Sequence, residues 1–320
     1  MMPIRWRAAC FALFYALLCS QIRGELGKEW SQATSATAWS GRNGHTSLVY
    51  GGRIWIIGGY HLEDVWSSPD GSSWTQTIQW ARFGDRYLHA SLVYNGKMWV
   101  IGGYHHAQNQ NDIWSSSDGV TWTTATLHAA WSPRYGHTSV VHSGKMWVLG
   151  GGSARDVWSS SDGVKWTSAT VSAPWQPEHT SVVYQNKIWV ICSEGVWSSS
   201  DGTSWTLATA ATPWRIPPVY WIGGMKAVAC DGKIWVMGGQ DYYSVCFNAV
   251  WCSTDGKTWV QVTPHAAWIG RVGHAVLVHD GKIWVLGGYT QAGRGLPGKL
   301  LNDVWYSAMP TPTRHWRLYP

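Results

Sequence analysis

The sequence predicts an all-β chain, folded as a six-bladed β-propeller of four-stranded antiparallel blades. Three observations lead there. First, the 27 tryptophans fall into series. Trp55, Trp99, Trp147, Trp189, Trp235 and Trp284 recur in one apolar run, and Trp66, Trp114, Trp158, Trp197, Trp251 and Trp305 in the next. Trp74, Trp122, Trp166, Trp205 and Trp259 each follow the second series by eight residues. Second, the copies are spaced by 42 to 49 residues, the period at which four-stranded blades repeat. Third, two-residue turns rich in Gly, Asn and Asp separate β-branched runs, which argues for hairpins and against a helical repeat.

The first copy shows the elements in order. Strand a covers residues 45–50, strand b residues 53–57 and strand c residues 64–68, and strand d begins near Trp74. Gly51-Gly52, Asn95-Gly96, Ser143-Gly144, Asp231-Gly232 and Asp280-Gly281 join a to b. Such pairs favour type I′ turns, which need positive φ at both positions. Asp70-Gly71, Asp118-Gly119, Asp162-Gly163, Asp201-Gly202 and Asp255-Gly256 join c to d. Strand b is apolar on both faces, with Ile54 and Ile56 on one and Trp55 and Ile57 on the other. That pattern suits a strand sandwiched between neighbours.

Trp30 lies twelve residues before Arg42, as Trp122 lies twelve before Arg134. The segment around Trp30 is therefore expected to pair as the outer strand of blade six, in competition with Trp316, and to remove an exposed sheet edge.

The repeats run from about Trp30 to the C-terminus of this 320-residue sequence. The expected division is a signal peptide over residues 1–24 and the propeller over 25–320. Arg5 and Arg7 precede an apolar run over residues 8–18, with cleavage expected after Ser20 or Gly24. The run is too short to span a bilayer, so a secreted, extracellular or periplasmic chain with no stable membrane span is expected. The net charge is +6. Without Arg5, Arg7 and Arg23 it is 21 basic against 18 acidic residues, too dispersed for a nucleic-acid partner. Cys246 and Cys252 lie close enough in sequence for a disulfide, with free thiols as the alternative. No CxxC, GxSxG, HExxH, P-loop or dinucleotide motif occurs, so no catalytic residue, metal or cofactor is expected.

The chain resembles kelch-repeat β-propellers, of the kind found as the central domain of galactose oxidase. The marks are the doublets Gly58-Gly59, Gly102-Gly103, Gly150-Gly151, Gly238-Gly239 and Gly287-Gly288, the Trp of strand d, and the Arg-x-Gly-His opening of strand a. Cys192-Ser193 replaces the doublet in copy four, and Ile222 and Met225 replace Arg and His in copy five. Those blades are expected to be irregular. Ser-x-Asp-Gly-x-x-Trp looks like the Asp-box turn of sialidases, which is structural.

Bland readings suit most of the conspicuous residues. The Trp of strands b and c are core. The series Trp39, Trp131, Trp175, Trp214 and Trp268 is read mainly as core, with a share allowed for ligand contact. His45, His89, His137, His179 and His274 belong on separate blades about 10 Å apart, too far for one metal. Arg42, Arg86, Arg134 and Arg271 bond between blades or hold a carboxylate at one mouth.

Connections a–b and c–d share one face and are uniform. Connections b–c and d–a share the other and vary in length, with b–c loops at residues 60–63, 104–111, 152–155, 240–249 and 289–302. Variable loops on a rigid scaffold carry recognition. The expectation is a monomeric binding module for a protein or a glycan. Its contacts are Tyr60, His61, Tyr104, His105, His106, Tyr242, Tyr243 and Tyr289, with the four arginines deeper. The alternative is an enzyme on acidic sugars, which resemblance to sialic-acid epimerases implies, using a mouth arginine and an acid such as Glu178 or Glu194.

Overall fold

The computed structural model describes residues 26–215 and 222–309. The expected signal peptide and Trp316 lie outside the described residues.

Six four-stranded antiparallel sheets form the blades. In blade one the strands are Thr46–Tyr50, Arg53–Gly59, Leu62–Ser68 and Thr75–Ile78, ordered a-b-c-d. Blade two has Ala90–Tyr94, Lys97–His105, Gln108–Ser116 and Thr123–Thr126. Blade three has Thr138–His142, Lys145–Gly151, Ala154–Ser160 and Thr167–Thr170. Blade four has Thr180–Tyr184, Lys187–Cys192, Gly195–Ser199 and Thr206–Thr209. Blade five has Lys226–Cys230, Lys233–Met237, Val250–Ser253 and Val260–Thr263. Blade six has Ala275–His279, Lys282–Thr290 and Lys299–Ser307, completed by Ser31–Thr34.

The a strands touch in sequence, and those of blades six and one touch as well, so the ring is closed. The two-residue a–b turns have positive φ at both positions, as at Asn95 (47°) and Gly96 (68°). Blade four makes the same turn with Gln185 and Asn186.

Strand b faces both neighbours. Trp55 and Ile57 pack with Met98 and Val100 of blade two, and Ile54 and Ile56 with Leu277 and Leu286 of blade six. Each of the six blade interfaces has such a cluster among the described residues. Each buried indole removes about 150–250 Å² from water, at roughly 25 cal/mol per Å².

The N-terminal segment closes the ring. Ser31 pairs with Tyr306 and Gln32 with Trp305. The mimicry of a c–d turn starts earlier. Gly27 N donates to Ser307 Oγ at 2.7 Å and Trp30 Nε1 to Gly27 O at 2.8 Å. In blade one Gly71 N donates to Ser68 Oγ at 2.8 Å and Trp74 Nε1 to Gly71 O at 3.0 Å. Gly27 lies against Trp235 of blade five just as Gly119 lies against Trp55 of blade one.

That contact explains the c–d glycine. A Cβ on Gly119 would clash with Cζ3 and Cη2 of the Trp55 indole, and φ there is 76°. Gly96 also has positive φ (68°) but open space around it. Because Asn tolerates the left-handed region, comparing the two positions isolates the clash. Gly119→Asn should cost about 1–3 kcal/mol more than Gly96→Asn, read from urea midpoints. Equal midpoints would show that the indole yields freely.

Two expectations need correction. The presumed b–c loop of blade two is strand: b runs to His105, c begins at Gln108, and the turn is His106-Ala107. Apolar and polar residues alike can extend a hairpin whose backbone groups pair. No Cys246–Cys252 disulfide forms. Cys252 is buried in the cluster between blades five and six, whereas the Cys246 thiol donates to Tyr289 O at 3.7 Å. Blade five is irregular as expected: Gln240–Asp241 leaves the blade and pairs with Ile222–Gly223.

Candidate functional site: the loop-rich face

The four arginines expected near the mouth are interior ion-pair residues. Arg42, Arg86, Arg134 and Arg271 are at most 2% exposed. Each grips an aspartate of strand c in its own blade with both terminal nitrogens. Arg134 Nη1 and Nη2 reach Asp156 Oδ1 and Oδ2 at 2.6 and 2.9 Å. Arg42 holds Asp64, Arg86 holds Asp112 and Arg271 holds Asp303 in the same way. Each Nη1 also donates to the first carbonyl of the Gly-Gly doublet, at 2.8 to 3.0 Å. Each guanidinium lies over an aromatic ring three residues earlier: Trp39, Phe83, Trp131 or Trp268. With at least four of the five N–H donors of each guanidinium bonded inside the blade, the arginines do not present a mouth for a carboxylate.

A sequence signal for these pairs existed. Asp-x-Trp occurs in strand c of blades one, two, three and six, which are the four blades with Arg. Blades four and five have neither: Gln176 and Gly195 stand in one, Ile222 and Ala249 in the other. The aspartate also accepts from the strand-c indole two residues later, at 2.7 Å in Trp66, Trp114, Trp158 and Trp305.

The d–a tryptophans are core too. Trp39, Trp131, Trp175, Trp214 and Trp268 are at most 3% exposed. Each meets a strand-d indole edge to face, as Trp131 meets Trp166 at 6.1 Å and Trp268 meets Trp30 at 5.7 Å. None is placed to stack on a ligand.

The repeated histidines sit at the starts of the a strands, with His45, His89, His137 and His274 buried and His179 half-buried. Three bond to the preceding blade: His89 Nε2 to Thr46 Oγ1 at 2.8 Å, His137 Nε2 to Ile101 O at 3.1 Å, and His179 Nε2 to Thr138 Oγ1 at 3.1 Å. Burial, assisted by the nearby arginines, pushes His89 and His137 down to about 3. Burial alone is the leading cause for His179, at about 4. His45 and His274 are lowered in the same direction, again by burial and then by Arg42 and Arg271. All five are neutral at pH 7.

The exposed loop residues do converge. Tyr60, Tyr87, Tyr104 and Tyr135 form a continuous aromatic strip over blades one to three, with centroids 4.9, 5.3 and 5.8 Å apart. His61 stacks on Tyr60 at 4.1 Å. Tyr87 and Tyr104 are held by reciprocal backbone hydrogen bonds between blades. Burial, then the crowding of Tyr104 and Tyr60, raises the Tyr87 phenol above its ordinary pKa. Next to the strip, His105 Nδ1 lies 2.7 Å from Asp85 Oδ1, with His106 Nε2 and His61 Nδ1 3.6 and 3.5 Å from that carboxylate. Asp85, His105 and His106 are the group, among the described residues, whose ligand atoms gather closely enough to hold a metal ion.

Five of the named contacts thus come together: Tyr60, His61, Tyr104, His105 and His106. Tyr242 and Tyr243 form a separate exposed pair on blade five, 5.7 Å apart. Tyr289 is half-buried in strand b of blade six, paired through its backbone with Val272. Sequence reasoning missed Tyr87, Tyr135 and Asp85. The first two directly follow Arg86 and Arg134, where blades one and six have Asn43 and Val272. Glu194, proposed for an enzymatic reading, accepts from Gln176 Nε2 at 3.1 Å, and Glu178 is exposed on the same blade.

No curated protein matches the sequence. The Kelch motif family model matches residues 85–115 and 270–306, which are blades two and six with their Arg–Asp pairs and Gly-Gly doublets. Among solved structures, one titled "Structure of YjhT" superposes with a TM-score of 0.69 at 15% identity, covering 85% of this chain and 96% of that one. At that identity the likeness is one of fold. The closed ring of six four-stranded sheets is a six-bladed β-propeller, and its second and sixth blades match the Kelch motif.

Proposed function

We propose that the propeller is a recognition module that binds a protein or glycan ligand through its loop-rich face. The observation that carries this is the strip Tyr60–Tyr87–Tyr104–Tyr135, four phenol rings crossing three blades at stacking distance. Phenol rings combine apolar faces with hydrogen-bonding tips and lose little entropy on binding. Sugar rings and apolar protein side chains both fit such a surface. The opposite face carries the two-residue a–b turns and c–d turns of six residues built on one repeated Asp-Gly pattern.

Export belongs to the proposal and rests on Arg5, Arg7 and the apolar run after them. N-terminal sequencing of protein from the medium should begin at Gln21 or Glu25. Among the described residues no helix is long and apolar enough to cross a membrane.

A glycan array probed with the intact chain tests the face. Tyr104→Ala with Tyr135→Ala should weaken any bound glycan by about 1–3 kcal/mol while thermal stability stays close to wild type. Asn95→Gly, in an a–b turn on the other face, should change nothing. Loss of binding in Asn95→Gly but not in the tyrosine variant would place recognition on the wrong face. An acidic-sugar turnover assay on the same protein separates binding from catalysis.

A further inference from the structure

Blade five breaks the repeat at the central channel. Where five blades place a histidine, it has Met225, and the next residue is Lys226. The other blades have Thr46, Ala90, Thr138, Thr180 and Ala275 there, all short and uncharged. Lys226 points a cation into a chamber of about 170 Å³ at the loop-face end of the channel. Among the described residues no carboxylate lines that chamber. Burial is the influence resolved on the ammonium, and it lowers the pKa.

The same chamber collects unused donors. Ser47, Ser91, Ser139 and Ser181 line it, one from each of four blades, and their hydroxyls are buried without a hydrogen-bond partner. His45, also on the wall, is unpartnered at both ring nitrogens. Ordered water can satisfy hydroxyls. Water does not neutralise the half-buried ammonium, which has no carboxylate beside it in the chamber and therefore favours an anion. One lysine asks for one negative charge.

A second chamber of about 340 Å³ continues toward the turn face. Val140, Val182, Val228 and Val278 line it, and Ser181 belongs to both walls. A polar chamber with a cation therefore adjoins an apolar one. We propose that the central channel binds a small aliphatic carboxylate, its head on Lys226 and the serine ring and its chain among the valines. This site is separate from the tyrosine strip.

Isothermal titration of the full chain at constant ionic strength tests it, with acetate, butyrate, hexanoate, phosphate and chloride as probes. Hexanoate should bind at least about tenfold tighter than acetate, because its extra methylenes leave water, and tighter than phosphate or chloride. Lys226→Met, which keeps the side chain's length without the charge, should weaken hexanoate by about tenfold or more. Ser139→Ala with Ser181→Ala should weaken it severalfold and serves if Lys226→Met does not fold. Tyr104→Ala should leave it unchanged. Absence of hexanoate binding, unchanged affinity in the folded lysine or serine variants, or phosphate binding as tightly as hexanoate would each overturn the proposal.

Discussion

Between pH 6.5 and 5.5 the propeller is expected to lose about 5 kcal/mol of folding stability, because five imidazoles cannot take up protons without unfolding. His89 and His137 stay neutral down to about 3 and His179 down to about 4. His45 and His274 are lowered strongly as well. In the unfolded chain each titrates near 6.5. The sign follows. A folded pKa below the unfolded one means that the unfolded state binds the proton first, so stability is complete above about pH 6.5. It then falls, at about 1.4 kcal/mol per pH unit for each histidine, until the folded values are reached. A domain has about 5–15 kcal/mol to lose, so acid unfolding should be largely complete before the carboxylates titrate. Below about pH 4 Asp156 and Asp303 add to it. Burial works against their ionisation, but their bonds to arginine and indole prevail and hold both below the usual range. Urea midpoints at pH 7.5, 6.5 and 5.5 measure the effect. A flat stability profile over that interval would mean that the imidazoles find protons in the folded ring.

Arg134→Ala is expected to cost about 3–5 kcal/mol of stability, the usual consequence of removing one partner of a buried ion pair. The guanidinium bonds to both oxygens of Asp156, to Gly150 O at 2.8 Å and to Ser132 O at 3.1 Å, and lies 5.4 Å from the Trp131 centroid. Its loss leaves a half-buried carboxylate without its cation and two carbonyls without a donor. Arg134→Met combined with Asp156→Asn removes both charges and keeps an acceptor for Trp158, so it should recover at least half of the loss. A ligand-binding arginine would behave oppositely, with stability retained and affinity lost. A cost below about 1 kcal/mol for Arg134→Ala would contradict the structural role.

Much of the architecture was legible because it is written in short range. Hairpin turns such as Asn95-Gly96 declare their φ values, and the two-faced apolar run of residues 54–57 declares a sandwiched strand. Even ring closure could be read, since Trp30 keeps the spacing of a strand-d tryptophan. The extended hairpin at His105 was not legible, because backbone pairing rather than side-chain type lengthens it. The arginines misled in another way. Facing a mouth and facing an aspartate within the same blade look alike when only Arg is counted. The co-occurring Asp-x-Trp distinguished them, yet a pair some twenty to thirty residues apart in sequence becomes a contact only once the sheet is assembled.

The loop face shows the same division. The sequence placed Tyr60, Tyr104, His105 and His106 on one face through strand order and turn chemistry. Their union with Tyr87, Tyr135 and Asp85 depends on backbone bonds between adjacent blades, such as Tyr87 with Tyr104. Blade number, strand order and the turn types were thus determined by local pattern and period, where neighbouring residues set the backbone. The ion-paired arginines were decided only by assembling each sheet, the tyrosine strip by packing blades one to three together, and the chamber around Lys226 by closing the ring, because each joins side chains from elements distant in sequence and depends on which surfaces that assembly removes from water.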